Sequence, residues 1–176
     1  MEKDDMSREA GFAFGGRSIV IFYTRSGNTQ FVAEEIATVL GSDLRPLVDK
    51  KSRQGAWGYF WAGFDAIMKN RTRLEDFKLD LAQYDLIFLG TPNWAANVPP
   101  AIRTFLAQSY LTNKKLVLFC TQDGMGAGQV FNNLRLLAKG AEIIDEKFFN
   151  KVNLNKEAIR LQVRDWLKKF AVKTTD

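Results

Sequence analysis

Strand and helix alternate five times along this chain, and that rhythm confines the fold more tightly than any other feature. "RSIVIFY" (17–23), "YDLIFLG" (84–90) and "KKLVLFC" (114–120) are almost unbroken apolar runs, as expected of strands buried on both faces. "DLRPLV" (43–48) reads as a second strand in chain order, placed at a sheet edge because Pro46 has no N–H to donate to a ladder. "AEIIDEKFF" (141–149) is a fifth, with partial alternation. Helical spacing of apolar residues predicts helices over about 29–40, 99–109, 127–139 and 155–170. Val32, Ile36, Val39 and Leu40 stripe the first, and Ile159, Val163, Trp166, Leu167 and Phe170 stripe the last, with Asn155 as its cap. Such alternation implies parallel strands joined by right-handed crossovers, a three-layer α/β sandwich. We expect one domain over 17–176 after a flexible N-terminal arm of 1–16. The interval 49–83 is longer than a plain helical crossover needs.

The totals exclude several chemistries. With 46% hydrophobic and 26% charged residues the chain can bury a sizeable core. It has no histidine and one cysteine, Cys120. Histidine-based nucleophile pairs, the usual zinc ligand sets and an internal disulfide are therefore excluded. No apolar run approaches the ~20 residues that span a bilayer, and the acidic start "MEKDD" is unlike a secretory signal. A reducing cytoplasm is the expected location. The net charge is +5, with basic groups dispersed and no nucleic-acid motif beside them.

In an open α/β sheet ligands bind beyond the carboxyl ends of the strands. "TRSGNT" follows the first strand, "TPNWAANVPP" the third and "TQDGMGAG" the fourth. All three are rich in hydroxyl, amide, proline or glycine residues and should converge on one rim. In the first turn, Gly27 permits backbone angles that aim N–H groups inward, and the helix start adds its positive dipole end. Hydroxyls of Thr24, Ser26 and Thr29, with the Asn28 amide, could complete the oxygens of one phosphate; the alternative is an ordinary helix cap. A P-loop is absent, and "GMGAG" (124–128) lacks the dinucleotide spacing. Trp94 either covers the core or offers a flat face to a planar ligand. Asp123 reads as a turn cap or a group near a bound ring, and Cys120 as a small buried hydrophobe.

These turns resemble those of the flavodoxin family. Phe22, Thr24, Gly27, Asn28, Thr29, Ala33 and Ile36 fit its first-loop pattern, "LGTPNWAANVPPAIRTFL" (89–106) is similar to the second loop, and "LFCTQDGMGAGQVFNNL" (118–134) to the third. The resemblance covers about 17–170. It implies a doubly wound five-stranded parallel sheet in the order 2-1-3-4-5 that binds FMN. Thr24, Ser26, Gly27, Asn28 and Thr29 would hold the phosphate, with Arg25 contributing its backbone N–H. Thr91, Pro92, Asn93 and Trp94 would line the isoalloxazine, Trp94 by stacking. Thr121, Gln122, Asp123, Gly124 and Met125 would contact the other edge of the ring.

Three departures qualify the match. The chain is basic where electron-shuttle flavodoxins are acidic, and its second loop is of the Pro-x-Trp type. It also contains "WGYFWAGFDAIMKNRTR" (57–73), with Trp57, Phe60, Trp61, Phe64, Ile67 and Met68 on one helical stripe. That stripe either packs on the sheet or, with its basic tail, forms a lid or a homodimer contact. The expected function is an FMN-dependent redox protein, an NAD(P)H-dependent FMN or quinone reductase. Its partners would be FMN, a nicotinamide cofactor, and a quinone or an acidic redox protein, with no nucleic acid. The alternatives are a low-potential one-electron carrier and a flavin-free interaction module. No side chain is required as a catalytic acid, because the coenzyme carries the chemistry.

Overall fold

The computed structural model describes residues 15–50, 71–75, 79–124 and 128–170. Strands β1 (Ser18–Phe22), β2 (Asp43–Pro46), β3 (Leu86–Pro92), β4 (Lys115–Gln122) and β5 (Glu142–Asn150) form one sheet in the order β2-β1-β3-β4-β5. Every neighbouring pair is parallel. Helices α1 (Asn28–Leu40), α2 (Pro100–Gln108), α3 (Gly128–Leu137) and α4 (Lys156–Leu167) connect or follow the strands. This is the expected α/β sandwich, with the strand order that the resemblance implied.

The apolar runs explain the layering. β1 is buried at all five positions, and its alternate residues feed two separate cores. Ile19 and Ile21 face one layer with Ile87, Leu89, Ile102, Phe105 and Leu134. Val20 and Phe22 face the other with Phe88, Val32, Ile36, Val163 and Trp166. The period of two along each strand thus assigns its residues to opposite sides of the sheet. Pro46 lies on β2, which pairs only with β1, so the missing N–H costs no ladder bond. Asn155 caps α4, its side chain accepting from the Ala158 N–H at 3.0 Å. The partial alternation of the fifth run has a physical cause: Ile143 pairs with Leu116 but Asp145 with Val117, so Ile144 is skipped in the ladder.

The long interval after β2 leaves and returns at one place. Asp49 and Leu74 form an antiparallel bridge, and the Thr72 hydroxyl donates to Asp49 Oδ1 at 2.6 Å. Thr104 of α2 then fastens the returning segment, accepting from the Thr72 N–H and donating to its carbonyl. The aromatic stripe from Trp57 to Met68 lies outside the described residues, as does the arm up to residue 14.

Gly90 of β3 admits no side chain. A Cβ there would stand 2.1 Å from Cζ of Phe119 on the adjacent strand, whose ring is fully buried. The Phe119 ring has no open space in which to give way, so Gly90→Ala is expected to destabilise the fold by about 1–3 kcal/mol through overpacking. Urea unfolding, read as a lower midpoint with an unchanged slope, checks it.

Candidate functional site at the carboxyl rim of the sheet

The first turn joins β1 to α1. Gly27 takes the left-handed conformation at φ 87°, which a side-chain-bearing residue adopts only at a cost. This bend lets the Gly27 N–H donate back to Thr24 Oγ1 at 3.0 Å, closing the turn. The first helical bond runs from the Phe31 N–H to the Gly27 carbonyl. The N–H groups of Asn28, Thr29 and Gln30 therefore lack an intrahelical acceptor. Among the described residues no side chain caps them, and no carboxylate lies in the first turn. Ser26 is exposed and Asn28 half-buried beside these donors. Uncapped N–H groups at a positive helix end suit an anion.

The second turn leaves β3. Asn93 donates its backbone N–H to the Thr121 carbonyl at 2.9 Å and its side-chain amide N–H to Gln122 Oε1 at 3.0 Å. Its Oδ1 is buried without any hydrogen-bond partner among the described residues. An orphaned buried acceptor is costly, and it fits a ligand that brings an N–H. Trp94 then exchanges backbone bonds with Asn97, closing a tight turn in which Ala95 and Ala96 both take left-handed angles. Trp94 is 6% exposed and belongs to the core. Tyr23 meets its ring edge-on at 5.5 Å, and the Arg25 guanidinium lies over it at 5.6 Å. Of the two roles open to Trp94 this arrangement displays the core role, and stacking on a ligand would require Arg25 to swing aside.

The third turn leaves β4. The Gln122 side chain donates to Asn150 Oδ1 at the end of β5, while its carbonyl accepts the Lys151 N–H at 2.8 Å. Asp123 and Gly124 are exposed, and Met125 lies outside the described residues. Thr91 is fully buried, and among the described residues its hydroxyl donates only to the adjoining Pro92 carbonyl. Cys120 is fully buried as well, and that burial pushes its thiol pKa up, away from reactivity.

The three turns converge as expected. Thr29, 1% exposed, shares a 2.8 Å hydroxyl–hydroxyl bond with Thr121, tying the first turn to the third. Asn93 ties the second to the third, and the Tyr23, Arg25 and Trp94 side chains tie the first to the second. The Thr29 side chain is thus spent on a neighbouring turn, leaving its backbone N–H as the group turned to the helix end. A cleft lined by Leu79, Phe105, Tyr110 and Lys114 opens at the opposite rim and shares no residue with these turns.

Four participants escaped the reading of the sequence. Asn97, Arg103, Asn133 and Asn150 anchor the second and third turns from behind. One signal was present for Arg103: "PPAIRTFLA" is apolar around most of its circumference, the mark of a helix buried on several sides. α2 is indeed buried at every position from Pro100 to Leu106.

These residues fit FMN on two counts, the uncapped helix start for its phosphate and the orphaned Asn93 oxygen for a ring N–H. Among solved structures, a candidate flavoprotein from Bacteroides eggerthii superposes with a TM-score of 0.72 at 23% identity, covering 90% of this chain and 100% of that one. A flavoprotein in complex with FMN from Lactobacillus acidophilus gives 0.67 at 23% identity, covering 76% and 93%. Oxidised flavodoxin 2 from Bacillus cereus gives 0.56 at 18% identity, covering 88% and 97%. At these identities the likeness concerns the fold. No curated protein matches the chain in sequence. The flavodoxin family model matches residues 17–170, which hold every described strand and helix, and the chain belongs to the flavodoxin family.

Proposed function

We propose that this protein binds FMN at the carboxyl rim of the sheet and works as an NAD(P)H-dependent FMN or quinone reductase. The observation that carries the binding is the buried, unpartnered Oδ1 of Asn93, set between turns that are already tied to one another. No donor among the described residues meets it, and an isoalloxazine ring carries one. The FMN phosphate would take the N–H groups of Asn28, Thr29 and Gln30 with the hydroxyls of Thr24 and Ser26. Pro92, Asn93 and Gln122 would border the ring, with Asp123, Gly124 and Met125 at its far edge. Bound there, FMN supplies the redox chemistry, and the chain's residues orient it and set the local field.

The reductase assignment rests on charge. A net charge of +5 favours anionic nicotinamide cofactors and acidic redox proteins by long-range steering. Among the described residues no helix is long and apolar enough to cross a membrane. We place the protein in the cytoplasm, with the lone thiol buried.

The purified protein should show a flavin absorbance spectrum after incubation with FMN, and the spectrum should bleach when NADPH or NADH is added without oxygen. A bound flavin that both nucleotides leave oxidised moves the assignment to one-electron carrier. Failure to retain micromolar FMN leaves the interaction module.

Two substitutions test the turns. Ser26→Ala removes one hydrogen bond to a charged group, and FMN affinity should fall about tenfold to a hundredfold. Riboflavin, which lacks the phosphate, should bind as before in a fluorescence-quenching titration. Thr29→Val leaves the buried Thr121 hydroxyl without its partner and should cost about 1–3 kcal/mol in urea unfolding. Adding Thr121→Val should recover part of that loss.

A further inference from the structure

Arg103 sits in the first turn of α2, yet its side chain is only 5% exposed and runs back beneath the second rim turn. Its Nε donates to the Val98 carbonyl at 3.0 Å and its Nη2 to Asn97 Oδ1. The same oxygen accepts the Val98 N–H and the side-chain amide of Asn133 on α3, both at 2.9 Å. Three donors thus meet on one atom of the residue that closes the Trp94–Asn97 turn. No carboxylate pairs with Arg103 among the described residues. Burial opposes its charge and lowers the guanidinium pKa. A buried cation without a counter-ion is costly, and proteins rarely keep one without compensation.

The turn it supports is itself unfavourable. Ala95 and Ala96 have φ of 49° and 58°, angles that a tight two-residue connection demands and that glycine or asparagine normally supplies. Two alanines hold such angles only where the surroundings enforce them. The clamp on Asn97 is an enforcing element. It fixes the spacing between Trp94 and Asn97, and through Trp94 the direction in which Asn93 leaves β3.

We propose that Arg103 is a positioning residue for the ring-binding turn, and that its buried charge biases a bound flavin ring toward its electron-richer, negatively charged form. The inference rests on the FMN assignment above. Two features carry it: a fork of hydrogen bonds that lysine cannot reproduce, and a positive charge held away from water where its field is weakly screened.

The test uses the full chain, stripped of flavin and titrated with FMN and with riboflavin, followed by measurement of the reduction potential of the loaded protein. Arg103→Met should weaken FMN and riboflavin by the same factor, because the turn it holds touches the ring and not the phosphate. Its potential should fall below that of the unmodified protein. Arg103→Lys should lose affinity in the same way but keep the potential close to its original value, since the charge stays. Unchanged affinity in Arg103→Met overturns the positioning role, and equal potentials in Arg103→Met and the unmodified protein overturn the electrostatic one. If Arg103→Met does not fold, Arg103→Lys and Asn97→Ala carry the test: both should bind both ligands more weakly with potentials near the original, and original affinity in both overturns the proposal. An unmodified protein that binds no FMN fails before any variant is compared, which separates failure of the FMN assignment from failure of the role given to Arg103.

Discussion

A parallel sheet covered on both faces has nowhere to place polar chemistry except at the ends of its strands. β1 and β3 are buried along nearly their whole length, and each residue is committed to one of two apolar layers. Backbone polarity is absorbed in the ladders. The turns beyond β1, β3 and β4 are consequently where unsatisfied donors and acceptors can persist, and where a ligand can meet them. Gly90 shows the same constraint from inside: the Phe119 ring of β4 occupies the space where a side chain on β3 would stand. Close packing at the centre and open valence at the rim are two results of one arrangement.

The rim is assembled by bonds between turns that are distant in sequence. Thr29 and Thr121 are separated by 92 residues, and Asn93 and Gln122 by 29. Each bond is short and either buried or half-buried, so each turn limits the freedom of the next. A cradle built this way keeps its shape before a ligand arrives, which reduces the ordering that binding would otherwise require. The uncapped start of α1 belongs to the same economy, since its donors are held by the helix itself.

Local chemistry was readable and long-range pairing was not. Apolar continuity marked the strands, Pro46 marked an edge, and Asn155 marked a helix start, because each acts within a few residues of its own position. The polar turns were recognisable as a group for the same reason. Whether Trp94 faces a ligand or the core depends on Tyr23 and Arg25, about seventy residues earlier, and no periodicity encodes that. Ala95 and Ala96 carry no turn signature, so their left-handed angles were hidden. The role of Arg103 had only the apolar surround of its helix as a signal, since burial of a cation depends on acceptors supplied from elsewhere.

The side-chain amides at the rim have a consequence of their own. Asn93 donates a hydrogen bond to Gln122, and Gln122 donates one to Asn150, so the three amides point the same way like arrows nose to tail. None can rotate by half a turn alone without bringing oxygen against oxygen or nitrogen against nitrogen. The row therefore has two self-consistent senses, and reversing it needs all three to turn together. In the sense seen here it ends on a lone oxygen; in the other it would end on an N–H, and the rim would ask its guest for the opposite group.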